Sequence, residues 1–86
     1  MYMGMLGTLL MSAKKDNKVV ILTPSYNCLH NTIINPNEDE YMFLEKNHLM
    51  VNRKVIDLDY IAEAEVTDNI KDAINEMKNK PSLLSI

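Results

Sequence analysis

Cys28, His30 and His48 are the side chains of this chain best suited to hold a soft metal or to pair as nucleophile and base. On a strand, a Cys-x-His spacing turns both side chains to one face. His48 could then add a third ligand. Structural zinc takes four ligands, and the fourth would have to be a carboxylate such as Asp57. No Cys-x-x-Cys or His-x-x-x-His spacing accompanies the three residues. Nucleophilic catalysis by a Cys28–His30 or Cys28–His48 pair also needs a third group to orient the base, and no such group is evident from the spacing. The expectation is no metal, no cofactor and no catalytic residue.

Asp57-x-Asp59 resembles half of a hard-cation site. Calcium and magnesium ask for more oxygen ligands in a glycine-shaped loop, and the nearest glycine is Gly7. A solvated turn is the expected reading. Glu38-Asp39-Glu40 likewise reads as a solubilising turn, with an acidic patch facing a basic partner as the other reading.

Cations gather at two expected turns: Lys14, Lys15 and Lys18 at the first, Arg53 and Lys54 at a later one. If both turns share one end of the molecule, these five form an anion site for a phosphate, a nucleotide or nucleic acid. No glycine-rich phosphate loop supports it, and Arg53 is the only arginine. The net charge of −3 also argues against a nucleic-acid binder driven by overall electrostatics.

Apolar candidates for an interface are Tyr2, Met3, Met5, Tyr26, Leu83 and Leu84. On a strand, Met1, Met3 and Met5 share one face while Tyr2, Gly4 and Leu6 share the other. Such a strand needs cover on both sides, from its own domain or from another chain. Methionine surfaces adapt to varied partners.

The elements that must position these residues are organised around positions 41–66. Three short apolar runs, 41–44, 48–51 and 54–56, are separated by Asn-containing breaks and read as a meander. Ahead of them, a hairpin is expected between 5–12 and 18–23. Met and Leu there favour helix, but Gly4 and Gly7 turn the reading to strand. Pro24 ends the second strand. Thr32-Ile33-Ile34 is a further strand, and the Asn- and Pro-rich turn at 35–40 is expected to pair it with 41–44. A tight turn at 57–60 leads into a last strand, because Ala62, Ala64 and Val66 alternate with Glu63 and Glu65. A helix with Leu58, Ile61, Ala62 and Val66 on one stripe is the rival. A helix is expected at about 67–79, with Thr67 as N-cap, Ile70, Ala73, Ile74 and Met77 at helical spacing, and Pro81 as its stop. The apolar tail 81–86 is expected to dock.

The fold class expected is mostly β with a C-terminal α-helix (α+β): about six short strands in a small antiparallel meander or barrel, one domain over 1–80, and the tail. In element order this resembles the small SH3-like and Sm-like barrels, although no motif of those families is present. The resemblance implies a barrel and carries no function. With 86 residues the core is thin, and oligomerisation is a common remedy. One cysteine allows no intrachain disulfide, so a cytoplasmic location is expected. No apolar run is long enough for a membrane span, and no basic residue precedes the apolar N-terminus as a secretory signal would require.

The function expected is a non-enzymatic binding protein, a homo-oligomer with a protein partner. It would be a small regulator or inhibitor of the kind phages and mobile elements encode. The alternative is an Sm-like ring that grips a nucleotide or nucleic acid through the Lys and Arg turns. An enzyme using Cys28 and a histidine ranks last.

Overall fold

The computed structural model begins with helix α1 (Met3–Lys15) and continues through β1 (Val19–Pro24), β2 (Thr32–Ile34), β3 (Tyr41–Leu44), β4 (His48–Val51) and β5 (Lys54–Asp57). A single 3-10 turn, Leu58–Tyr60, then leads into β6 (Ile61–Thr67). The structure describes residues 1–25, 31–69, 71, 74 and 75.

The N-terminal segment is helix, not the expected strand 5–12. Leu6, Leu10 and Ala13 recur at helical spacing and are fully buried. Each large buried side chain contributes roughly 1.5–3 kcal/mol, more than the ~1 kcal/mol a glycine costs inside a helix. The glycines are also well placed. Gly4 lies in the first turn, and Gly7 faces the ring of Phe43, which a Cβ there would meet at 3.6 Å. The helix ends in a Schellman motif. Asn17 takes the left-handed conformation at φ 57°, Lys18 N–H donates to the Ala13 carbonyl at 2.7 Å, and Asn17 N–H donates to that of Lys14 at 3.3 Å.

The strands form two antiparallel three-stranded sheets, ordered β2-β1-β6 and β3-β4-β5. They do not close into the expected barrel. β1 is central and buried along its whole length. Val20 and Leu22 join Leu6, Leu10, Ile34, Leu49, Leu58 and Ile61 in the core, while Val19 and Ile21 face the other side with Ile33. Pro24 has no N–H for the ladder, and the β1–β6 register shifts there: Thr23 pairs with Glu63 but Pro24 with Ile61. In the second sheet Tyr41, Phe43, Leu49, Val51 and Ile56 face the shared core.

The expected hairpin between 32–34 and 41–44 does not form. β2 pairs with β1, Ile34 opposite Val20, and β3 pairs with β4. The 35–40 turn explains this, because its polar groups satisfy one another. The Asn35 carbonyl accepts from Glu38 N–H at 3.1 Å and from Asp39 N–H at 2.8 Å. Asp39 Oδ2 accepts from Asn35 N–H at 2.8 Å. A turn held this way needs no paired strands on its flanks, so it carries the chain from one sheet to the other.

The fold's helix is N-terminal rather than C-terminal. Thr67, expected as an N-cap, is the last residue of β6 and pairs with Val19. Beyond β6 the described residues are Asp68, Asn69, Lys71, Ile74 and Asn75, the last three in helical conformation; the rest of the expected span 67–79 lies outside them, as does the tail 81–86. The tight turn at 57–60 followed by a strand does form. Among the described residues no helix is long and apolar enough to cross a membrane.

Candidate functional site

The two groups of cations flank one acidic turn. Lys14 and Lys15 lie in the last turn of α1, where Asn37 Nδ2 donates to the Lys14 carbonyl at 3.2 Å and to Asn17 Oδ1 at 3.3 Å. Arg53 and Lys54 lie at the β4–β5 turn, where Asn52 Oδ1 accepts from Glu40 N–H at 3.0 Å. Both turns therefore touch the 35–40 segment, one at Asn37 and the other at Glu40. That segment, however, carries Glu38, Asp39 and Glu40. Lys18 Nζ already lies 3.4 Å from Asp68 Oδ1. The cations are interleaved with carboxylates, which weakens the local field an anion would feel.

The carboxylates Asp57 and Asp59 serve the backbone. Asp57 Oδ1 accepts from Asp59 N–H at 3.0 Å, capping the 3-10 turn. Asp59 Oδ1 accepts from Asn47 Nδ2 at 3.0 Å. His48 sits opposite Asp57 in the register of β4 and β5, its Nε2 3.8 Å from Asp57 Oδ2. Its Nδ1 is 3.1 Å from the Glu45 carbonyl. Cys28 and His30 lie outside the described residues. Among the described residues no group of three or more His, Cys, Asp or Glu could hold a metal ion.

The proposed apolar interface is redistributed by the helix. At about 100° per residue, Met1, Met3 and Met5 no longer share a face. Met3 packs against the core, whereas Tyr2 and Met5 stay exposed, at 77% and 60%. They border a shallow hollow with Asn47, Asp59 and Ala62. Tyr26, Leu83 and Leu84 lie outside the described residues.

A different apolar surface emerges from the register of the second sheet. Met42 pairs with Met50, and Met50 with Val55, so the three stand in one row across β3, β4 and β5. Their side chains point away from the core, because their neighbours Phe43, Leu49 and Ile56 point into it. Met42 is 56% exposed and Val55 59%. Leu44, His48 and Asp57 make the next row. An antiparallel sheet with one solvated face normally carries polar residues there, but four of these six positions are apolar. The row is concealed in the sequence until the strand register is known.

Comparison with protein-family models, with curated proteins and with solved structures finds no match to this chain.

Proposed function

We propose that the chain is a small binding protein, a regulator or inhibitor, that acts through the outer face of the β3-β4-β5 sheet. The observation that supports this is the apolar row Met42, Met50, Val55 set by the strand register, with Met42 and Val55 exposed and Met50 half-buried between them. Exposed apolar surface on a small domain is costly in water and marks a contact surface. Methionine suits it, because a flexible thioether packs against varied shapes. A cytoplasmic location belongs to the same proposal and rests on the single cysteine.

Site-specific photo-crosslinking in cells tests the reading. A crosslinking residue in place of Met42 or Val55 is expected to trap one discrete adduct. The same residue in place of the exposed Thr8 should trap none. Val55→Asp should abolish the adduct formed from position 42. An adduct of twice the chain mass identifies a second copy, and another mass identifies a different protein. No adduct from either sheet position, or an equal yield from position 8, would sink the proposal.

A further inference from the structure

The two sheets present facing edges. β2 ends one sheet and β5 ends the other, and among the described residues neither edge has a second partner strand. Between them lie two adjoining hollows of about 270 and 240 Å³. Both have Thr32 and Ile56 on their walls. One hollow reaches Asp57 and Pro24, and the other reaches Ile33 and Lys54. Together they make a groove along β5 with β2 as its far wall.

The register decides which groups of β5 face this groove. Asn52 and Arg53 have positive φ, 49° and 71°, the signature of a two-residue type I′ turn. Val51 and Lys54 are then the hydrogen-bonded pair that closes the hairpin. Antiparallel pairs alternate in bonding, so Val55 and Asp57 turn their N–H and C=O groups away from β4 toward the groove. Edge strands are normally blunted by short length, charged side chains, a proline or a bulge. β5 is short and carries Lys54 and Asp57 at its ends, but its centre, Val55-Ile56, is uncharged and its pairing with β4 is regular.

We propose that this groove takes an extended peptide, added to β5 as an antiparallel strand. This goes beyond the outer-face reading and does not depend on it. Main-chain bonds to Val55 and Asp57 would hold the peptide, as in other cases of strand addition. Alternate side chains would enter the groove beside Ile56 and Ile33, which calls for apolar residues. The ends differ in charge: Asp57 stands at one, Arg53 and Lys54 at the other. In the antiparallel sense the peptide's N-terminal side meets Asp57 and its C-terminal side meets the cations. The fitting partner is a short apolar segment with a basic residue at its start and an acidic one at its end.

Titration of the isotope-labelled protein by NMR tests this with three end-blocked peptides. The first is Lys-Val-Thr-Val-Glu, the second its charge-reversed form Glu-Val-Thr-Val-Lys, and the third the first peptide N-methylated at the central threonine. The first should shift the amides of Thr32, Val55 and Asp57 saturably and slow hydrogen exchange at Val55. Reversal should weaken binding about tenfold through the paired charges. N-methylation, which removes the donor to the Val55 carbonyl and leaves that acceptor unpaired, should weaken it about tenfold or more. Equal affinity of the three peptides would overturn the proposal. So would shifts confined to Met42 and Met50, which place the peptide on the outer face instead, or the absence of any saturable shift up to ~5 mM.

Discussion

Asn47 Oδ1 accepts the backbone N–H of Met3 at 3.1 Å, and so caps the first turn of α1 from 44 positions away in sequence. Tyr2, at the N-cap position, makes no side-chain cap bond. The same asparagine donates through Nδ2 to the Met1 carbonyl at 2.7 Å and to Asp59 Oδ1 at 3.0 Å. Its own carbonyl accepts from Leu58 N–H at 3.0 Å. One turn residue therefore ties the helix start, the β3–β4 turn and the 3-10 turn together.

Asn47→Ala should destabilise the fold by about 2 kcal/mol, combining a lost cap of ~1 kcal/mol with a left-handed backbone that alanine tolerates poorly. Asn47 sits at φ 62°, so Asn47→Gly should cost less, about 1 kcal/mol, since it loses the cap but suits the backbone. Urea unfolding of the two variants checks this. Equal losses would mean that the backbone conformation carries no strain, and losses under ~0.5 kcal/mol in both would mean that the cap holds nothing.

Gly4→Ala and Gly7→Ala should each raise stability by roughly 0.5–1 kcal/mol, the difference in helix propensity. Neither glycine has positive φ. A Cβ at Gly4 meets nothing within 4 Å, and one at Gly7 makes ordinary contact with Phe43 at 3.6 Å. Gly7→Leu should instead destabilise, because the larger side chain has Phe43 in its way. Thermal unfolding separates the cases, and a fall in melting temperature for Gly7→Ala would show that the helix approaches Phe43 more tightly than this.

The helix is the part of the fold hardest to read locally, and Asn47 is the reason. Its start signal is not near residue 3, so positions 1–13 show glycines and methionines with no cap. Its end signal is in place, since Asn17 is an asparagine where the chain must turn left-handed. The meander is legible because Lys46-Asn47 and Asn52-Arg53 interrupt apolar runs with residues that take positive φ. The last strand is legible from its alternation over Ala64 and Val66, which face the core, but Ala62, expected on the same face, is exposed, because the register shift at Pro24 brings Ile61 to the core in its place. The division into two sheets is not, because the 35–40 turn looks like a hairpin turn until its internal hydrogen bonds are counted. The candidate surface follows the same logic. Met42, Met50 and Val55 are unremarkable residues in separate runs, and only the pairing of β3, β4 and β5 puts them in a row.

Thr8→Glu and Leu10→Ala distinguish a helix from a strand at the N-terminus. On a strand, positions 6, 8 and 10 would share one face, and a charge at 8 would enter the core with Leu6 and Leu10. On the helix Thr8 is exposed, with its hydroxyl donating to the Gly4 carbonyl at 3.0 Å. Thr8→Glu should therefore change stability by no more than ~0.5 kcal/mol. Leu10→Ala should cost about 2–5 kcal/mol, because Leu10 is fully buried between the helix and both sheets. A Thr8→Glu loss as large as that of Leu10→Ala would contradict the helix.

Arg53→Gly should stabilise the protein, although it removes a residue of the proposed cation cluster. Arg53 is exposed and sits at φ 71° as the second residue of the β4–β5 turn. The left-handed conformation costs a non-glycine residue about 1–2 kcal/mol, and Asn-Gly is the preferred pair for this turn type. Asn52 keeps its own role, since its Oδ1 still accepts from Glu40 N–H. The expected gain is about 1 kcal/mol in urea unfolding, with the β4–β5 register unchanged by NMR. The same variant weighs the anion reading, because binding of inorganic phosphate by the cluster would weaken with the loss of its only arginine. A gain in stability with no phosphate binding in either protein assigns Arg53 to the turn alone. A loss of stability would mean that the arginine side chain makes a contact worth more than the strain at its backbone.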